Sequence, residues 1–509
     1  MEAQLVWFKR DLRATDHRPL QQALLRGPVV CLYVIEPALW REPDVARQHY
    51  DFLQECLHSL DHDLARLGLR LLVLTGDMPS VLEALHDQLP FQALHAHEET
   101  GNAFTFRRDL AVRQWCRDKG LPFHEYPQFG VRRGLKNRDR WQGLWEAHMA
   151  APLDTMPDCP AGAPLSQDSP AWPHAHELGL DDNAPPHRQR GGRQRALTAL
   201  DSFLSERCER YRGGISSPLS APSACSRLSP YLAMGCLSMR EVVQATRLCM
   251  ARTAPDDPRH RGLQAFQSRL YWHCHFIQKL ESEPELEWLN MHRGYDGLRE
   301  ADWQDSHFKA LVEGRTGWPL VDACVAMLRD TGWLNFRMRA MLVSVAAYPL
   351  WLHWRPVGEW LARQFLDYEP GIHWSQMQMQ SGTTGINATR IYNPIKQAQD
   401  HDPQGHFVRR WLPVMRRVPS AWLFEPWLMP PQVQARCGLR VGRDIPLPIV
   451  DLATATRLAK TRFYDRRLQP QVHAANAGIV RQHGSRMRRR DPMPQPRSGA
   501  TDHQLTLGF

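Results

Sequence analysis

The chain has 509 residues, 43% of them hydrophobic, which is enough for more than one domain with its own core. A formal net charge of +9 and a pI near 9.1 point to an anionic partner, with nucleic acid first. Eleven scattered cysteines form no CxxC pair, so neither a zinc site nor a disulfide framework is indicated. No signal-peptide pattern or apolar run of membrane length occurs, and a soluble, cytoplasmic protein is expected.

Strand patterns occur at 4–8 (QLVWF), 28–36 (PVVCLYVIE), 69–74 (LRLLVL), 91–97 (FQALHAH) and about 121–126. Helical patterns fall between them at 16–25, 44–67, 78–89 and 103–119. This alternation predicts a doubly wound parallel α/β sheet over residues 1–130, with helices on both faces. No GxGxxG follows the first strand, so a dinucleotide site is not indicated there. Lys9, Arg10, Asp11 and Arg13 fall at its carboxyl end, where such sheets bind ligands. An ionic strand–helix junction accounts for the same charges equally well, as it does for HEETGNAFTFRRD at 97–109.

Residues 131–190 read as a linker. Basic VRRGLKNRDR and a helix-like WQGLWEAHM precede a stretch dense in Pro, Asp, Ala and Ser, with Trp172 and Leu178 as candidate anchors. A helical domain is expected over 191–465. Within it, Ser226, Arg227 and Ser229 precede a helix, a combination that suits either a pyrophosphate or a capped turn. Gly235 and Ser238 fit a helix end and the following cap, and QSRLYWHCHFIQKLE (267–281) is a helix carrying Trp272, His273 and His275.

TGWPLVDA has the pattern of a helix start, with Pro in the first turn. GWLNFRMRAMLVSVAAYPLWLHW is apolar almost all round, so a central helix is expected. It carries Arg337 and Arg339, and Asp367 and Glu369 follow about thirty residues on. A buried Arg needs a carboxylate or an anionic ligand. An Arg339–Asp367 pair lining a ligand cavity is therefore expected, with a plain interhelical salt bridge as the equal alternative. Arg409, Arg410, Arg416 and Arg417 flank Trp411, which suits either a DNA backbone or a solvated face. The tail, 466–509, is rich in Gln, Pro and Arg, with RMRRR at 486–490, and is expected to be disordered.

TGWPLVDA, GW-x-x-x-R-x-R, W-x-x-W-R and RIYNP, in this order, resemble the FAD-binding domain of the photolyase/cryptochrome family. LVWFKRDLRATDHRPL (5–20) resembles the opening of its antenna domain, and the likeness runs to about residue 465. Only Cys437 follows Cys324, so the cysteine set of the iron–sulfur lineage is absent. The resemblance implies FAD as cofactor, held by Tyr211 and by Cys225, Ser226, Arg227, Leu228 and Ser229, with Cys225 in the place of a Thr. It implies that Arg339, Asp367, Tyr368 and Glu369 grip the flavin and ribityl groups. His373 falls where Asn, Cys or Asp usually faces flavin N5, and a His there is expected to titrate near neutral pH and tune the flavin radical. A second chromophore of pterin or deazaflavin type is implied, without a residue set that identifies it.

The same resemblance implies damaged DNA as partner, with Arg269, Trp272, Arg409 and Arg410 as contacts and Trp272 stacking on the lesion. Arg269 stands where cyclobutane-dimer photolyases carry Glu, and Ile215 where they carry Arg. Asn335 and Phe336 replace the paired histidines of (6-4) enzymes, which leaves His273 and His275 as acid/base candidates. Of the usual three electron-relay tryptophans only Trp354 is present. Met377 and Leu311 occupy the other places, so Trp374, Trp333, Trp318 and Trp351 are alternative relays. The function implied is a blue-light-driven DNA photolyase, a carbon–carbon lyase. The alternatives are a cryptochrome-like photoreceptor signalling through a flavin radical and a nucleic-acid-binding flavoprotein without light chemistry.

Overall fold

Continuous apolar runs make strands buried on both faces, and these form the first layer of the molecule. The computed structural model describes residues 3–164, 168–182, 184–387 and 390–485. In it β1 (Ala3–Phe8), β2 (Val29–Ile35), β3 (Leu71–Thr75), β4 (Phe91–His97) and β5 (Phe123–Tyr126) pair in parallel, in the order β3-β2-β1-β4-β5. The helices α1 (Arg18–Leu24) and α2 (Arg47–Ala65) cover one face, where Leu20, Phe52, Leu57 and Leu60 join Val6 and Phe8. The other face is covered by α3 (Met78–Gln88) and α4 (Ala103–Asp118), through Met78, Leu82, Val112 and Cys116. The sheet and its helices thus lie where the sequence pattern puts them, to within a few residues.

The charges at the strand ends serve one another. Asp11 accepts from His17 Nε2 at 2.8 Å and His97 Nδ1 at 2.7 Å. Burial pulls His97 down to about 3, so the ring is neutral and donates as an ordinary N–H. Lys9 reaches Asp109 at 2.9 Å, and Arg108 binds Glu36 at 3.0 Å and Asp109 at 2.8 Å. The alternative of an ionic junction therefore describes Lys9 and Asp11, whereas Arg10 and Arg13 reach across to the helical domain, Arg13 donating from Nη1 to Gly235 O at 3.0 Å.

The linker has little regular structure beyond the helix Trp141–Ala150, yet it is fixed. Val29 exchanges backbone bonds with it, its N–H donating to Ala161 O at 2.9 Å and its C=O accepting from Ala163 N at 3.0 Å, Trp172 stacks on His58 at 4.5 Å, and Leu178 is buried. The helical domain then packs on the α1/α2 side, and a single core runs from β1 to Phe203, Tyr211 and Tyr271. Its central helix is shorter than the apolar run. Phe336–Ala347 is helical, and Pro349 with the left-handed Trp351 (φ 54°) turns the chain before Trp354–Gln364. No helix among the described residues is long and apolar enough to cross a membrane.

The tail differs from expectation. Pro470–His483 is a helix. It starts on a proline and turns Val472 and His483 inward, with Val472 O accepting from His292 Nε2 at 2.9 Å and His483 Nε2 meeting Glu283 Oε2 at 2.7 Å. Two buried side chains in fourteen residues are too sparse to register as a periodic pattern. RMRRR lies outside the described residues.

Gly235 ends its helix with φ 66°, and a Cβ there would stand 2.3 Å from Arg10 O and 2.5 Å from Asp11 Cα. Three residues on, Ser238 caps the next helix, with its Oγ accepting from Glu241 N at 2.9 Å. Gly235→Ala should therefore lower the unfolding free energy by about 2 kcal/mol or more, from a left-handed alanine plus a backbone clash. A urea titration with an unchanged midpoint would show that the domain contact is not this close.

Candidate functional site

The segment 225–229 lies between the short helical turns Ala221–Ala224 and Ser229–Ala233. Leu228 is buried and anchors the loop, while Cys225, Ser226, Arg227 and Ser229 keep part of their surface open. Arg227 adopts a left-handed backbone (φ 61°), lies over the Trp333 ring at 3.9 Å and donates from Nε to Gln189 Oε1 at 3.0 Å. Burial pulls its guanidinium down to about 10, against the pull of Asp367. Arg207 clamps the loop from behind, donating to Cys225 O and, at 3.2 Å, to Ser226 O.

The expected ion pair is present. Arg339 donates from Nη1 and Nη2 to the two oxygens of Asp367, each at 2.9 Å. Arg339 Nε holds Leu334 O at 2.7 Å, and the guanidinium lies 4.1 Å over Phe365. Burial works to raise the Asp367 carboxyl, but Arg339 outweighs it and holds the group below the usual carboxylate range. The charges of Arg227, Arg339, Arg207 and Arg269 all bear on Cys225, whose thiol burial pushes up to about 11. Arg269 bonds the Tyr211 hydroxyl, which places it on this cationic loop.

The following residues join the two domains. Tyr368 donates its hydroxyl to Asp44 at 2.6 Å, and Asn102 donates to the same carboxylate at 3.1 Å. Glu369 meets Arg10 at 2.8 Å, while Arg10 also donates to Tyr368 O at 3.2 Å and Ala233 O at 2.9 Å. Glu287 accepts from the first amide of α4, Ala103 N, at 2.7 Å. Its burial, reinforced by Asp44, pushes it up to about 7.

His373 sits on the helix Pro370–Ser381 and donates from Nε2 to Gly358 O at 2.9 Å. Its ring centroid is 5.2 Å from that of Tyr368 and 4.9 Å from that of Trp374. Burial pulls it down to about 4, so it is neutral across the physiological range and the titration near neutral pH expected of it does not hold. Trp374 and Trp354 are both fully buried, with ring centroids 6.0 Å apart at 67°, and Trp354 Nε1 donates to Asn290 Oδ1 at 2.7 Å. Met377 and Leu311 are packed in the same apolar core. Trp333 underlies Arg227, and Trp351 Nε1 bonds Asp302 at 3.0 Å.

On the helix Pro258–Ser282, Trp272 is half-buried beside His275 and Phe276, at centroid distances of 4.8 and 5.8 Å. His273 faces Phe129 at 5.4 Å, and burial pulls it down to about 3. Arg409 holds its own loop, donating to Gln404 O at 2.7 Å and Ser420 Oγ at 3.1 Å, whereas Arg410 is exposed over Trp411 at 5.4 Å. Sequence reasoning missed Arg207, Gln189, Asp44 and Glu287, and gave Arg10 no partner. No local pattern announces a charge whose counterpart lies far along the chain.

Known proteins share this arrangement. A family model described as DNA photolyase matches residues 4–129, and one described as the FAD binding domain of DNA photolyase matches residues 266–465. The chain is 30% identical over 479 residues to cryptochrome DASH of Gloeobacter violaceus, covering 88% of this chain and 93% of that protein. The chain belongs to the photolyase/cryptochrome family. Deoxyribodipyrimidine photo-lyase of Agrobacterium fabrum is 28% identical, covering 90% of this chain and 97% of its own. The crystal structure of a bacterial class III photolyase from Agrobacterium tumefaciens superposes with a TM-score of 0.76 at 26% identity, covering 92% of this chain and 98% of that one. Photolyases and cryptochromes thus stand side by side among the relatives of this family member.

The raised carboxyl of Glu287 makes a pH prediction. Its stabilising share is complete below the ordinary 4.5 and is lost as pH rises through about 7, where the buried group must ionise. Glu287→Gln keeps an acceptor for Ala103 N without a charge. It should flatten that decline and leave the variant more stable above neutral pH by about 1–3 kcal/mol. Parallel pH profiles of thermal unfolding for the two proteins would contradict this.

Proposed function

We propose that this protein is a FAD-dependent, blue-light-driven DNA photolyase that acts on a pyrimidine photolesion. The observation that carries the reading is the spacing on one helix: Arg269 reaches Tyr211 at the cationic loop, and half-buried Trp272 stands one turn further on. A base stacked on Trp272 would lie beside the group held by that loop. Enzymes that do chemistry on a base, photolyases among them, take it out of the stack first.

The residues fit FAD. Arg207, Arg227, Arg269 and Arg339 converge on a half-open loop where Asp367 is the carboxylate that answers Arg339, an excess of positive charge that suits a diphosphate. The Arg339–Asp367 pair, Tyr368 and His373 would then border the isoalloxazine. Reduced FAD, when bound, supplies the light-excited electron donor. The neutral His373 donates its Nε2 proton to Gly358 O, so Nδ1 is the atom that can accept a proton. Trp374 and Trp354 form a contiguous aromatic path away from His373. Trp272, Arg269 and exposed Arg410 are the DNA contacts in this reading, with Arg409 shaping the loop beneath.

A second chromophore belongs to the same reading. The ends of β1 and β4 are filled by the Lys9, Arg108 and Asp109 bridges. A cavity of about 750 Å³ between α3 and the linker, lined by Arg41, Leu74, Thr75, Leu85 and Trp172, offers room for one. The cryptochrome-like reading is favoured by Arg269, which is engaged with Tyr211 where a lesion-bonding carboxylate would be wanted.

Asp367→Asn should reduce FAD retention about tenfold or more, because a charge-assisted pair beside Arg339 is lost. Flavin absorbance per protein after gel filtration measures this, and undiminished occupancy would sink the cofactor assignment. Oligonucleotides carrying a defined cyclobutane or (6-4) lesion should be repaired under blue light. Trp272→Ala should slow that repair about tenfold, in line with about 1–3 kcal/mol for base–aromatic stacking, with flavin content retained. A flavin-loaded protein that repairs neither substrate overturns the photolyase reading.

A further inference from the structure

The tail helix Pro470–His483 fixes the point at which the chain leaves the body. His483 Nε2 meets Glu283 Oε2 at 2.7 Å, and Val472 is buried, with its carbonyl accepting from His292 Nε2 at 2.9 Å. Glu283 directly follows the helix Pro258–Ser282, and Trp272 stands about 15 Å back along that helix. The described chain then reaches Ser485, which is exposed.

Beyond Ser485 the sequence changes character twice. Residues 486–503 include four arginines at 486–490 and Pro492, Pro494 and Pro496, with Met487, Met493 and Ala500 as their apolar side chains. Residues 504–509 read QLTLGF and carry no charged side chain. Leu505, Leu507 and Phe509 alternate with Thr506 and Gly508. In an extended segment that period puts the three large apolar side chains on one side. Six residues are too few to bury such a side against themselves, so it calls for a surface supplied by another body.

We propose that residues 504–509 are a docking segment for a second protein that itself sits on DNA. That protein would offer an apolar cleft to Leu505, Leu507 and Phe509 beside a polar pocket for the Gln504 amide. Capture of an extended segment draws affinity from main-chain bonds and specificity from pockets for alternate side chains. The Gln504 amide is both donor and acceptor, so a pocket that satisfies both rejects Glu and Leu there. Without a cation the hexapeptide does not read phosphate, whereas RMRRR at 486–490 does. Eighteen residues separate Ser485 from Gln504 and span at most about 65 Å, which keeps the partner on the duplex that Trp272 would meet. The choice of a DNA-bound partner rests on the proposed function; the apolar alternation does not.

The probe is a purified bacterial DNA sliding clamp, a protein ring that encircles duplex DNA and offers a surface cleft to other chains. Surface plasmon resonance with the full, flavin-loaded chain should show saturable binding. The double variant Leu507→Ala, Phe509→Ala should bind about tenfold more weakly or worse, and Gln504→Ala several-fold more weakly. Flavin content and thermal unfolding should be the same in all three. A synthetic peptide of residues 496–509 should compete, and the same peptide with Gln504→Ala should compete less. Absence of saturable binding by the wild type overturns the proposal, as does equal affinity in the double variant or equal competition by the two peptides. Clamp binding by a protein that repairs neither lesion sinks the photolyase reading and leaves the docking segment standing, and repair without clamp binding does the reverse.

Discussion

Two parallel bonds of 2.9 Å between Arg339 and Asp367 set the geometry of the helical domain. Arg339 lies on a helix whose other neighbours are almost all buried apolar residues, so its charge has to be answered locally. Asp367 answers it from a short loop, and that loop is then fixed residue by residue. Phe365 lies beneath the guanidinium, Leu366 N donates to Gly332 O at 2.9 Å, Tyr368 reaches Asp44 and Glu369 reaches Arg10. One ion pair thus aligns five consecutive residues against three other segments. The left-behind partner of a broken pair of this kind would be a buried, unanswered charge, which costs several kcal/mol.

That pair was legible in the sequence because a guanidinium inside an apolar helical run is a demand with few answers. The five strands were legible because parallel strands buried on both faces read as unbroken apolar runs. Gly235 and Ser238 were legible as helix punctuation, but the reason alanine is excluded at 235 was not: the obstructing atoms belong to Arg10 and Asp11, more than two hundred residues earlier. The same limit hid Arg207, Asp44 and Glu287. Each is an ordinary charge in its own neighbourhood and acquires its role from a distant segment. His373 shows the limit for chemistry. Its residue type promises titration near neutrality, and only its enclosure by Phe365, Tyr368, Trp374 and Gly358 moves it to about 4.

The seam between the two domains carries an unusual share of the electrostatics. Burial raises Glu287 to about 7 and Glu369 to about 6, although Glu369 already faces Arg10. Both lie where the α/β domain covers the helical one and water is removed from each side. The apolar core is continuous across this seam, from Phe8 through Leu57 to Phe203 and Tyr271. The relative placement of the domains therefore rests on apolar burial, and the charged groups are carried into the contact at some cost.

The linker and the tail follow from that arrangement. A segment without regular structure can cross a closed surface only if its backbone groups find partners. Residues 161–163 do so by lying beside Val29, and Trp141, Trp145 and Trp172 supply apolar anchors that a Pro-rich stretch otherwise lacks. The tail helix is stabilised differently. Val472 and His483 are its buried side chains, too few to fold a helix of fourteen residues alone. His292 and Glu283 offer it polar partners at its two ends. Its hold combines these two polar contacts with the burial of Val472 beside Tyr295 and Phe463 and the packing of Ile479 on Leu286 and Met291.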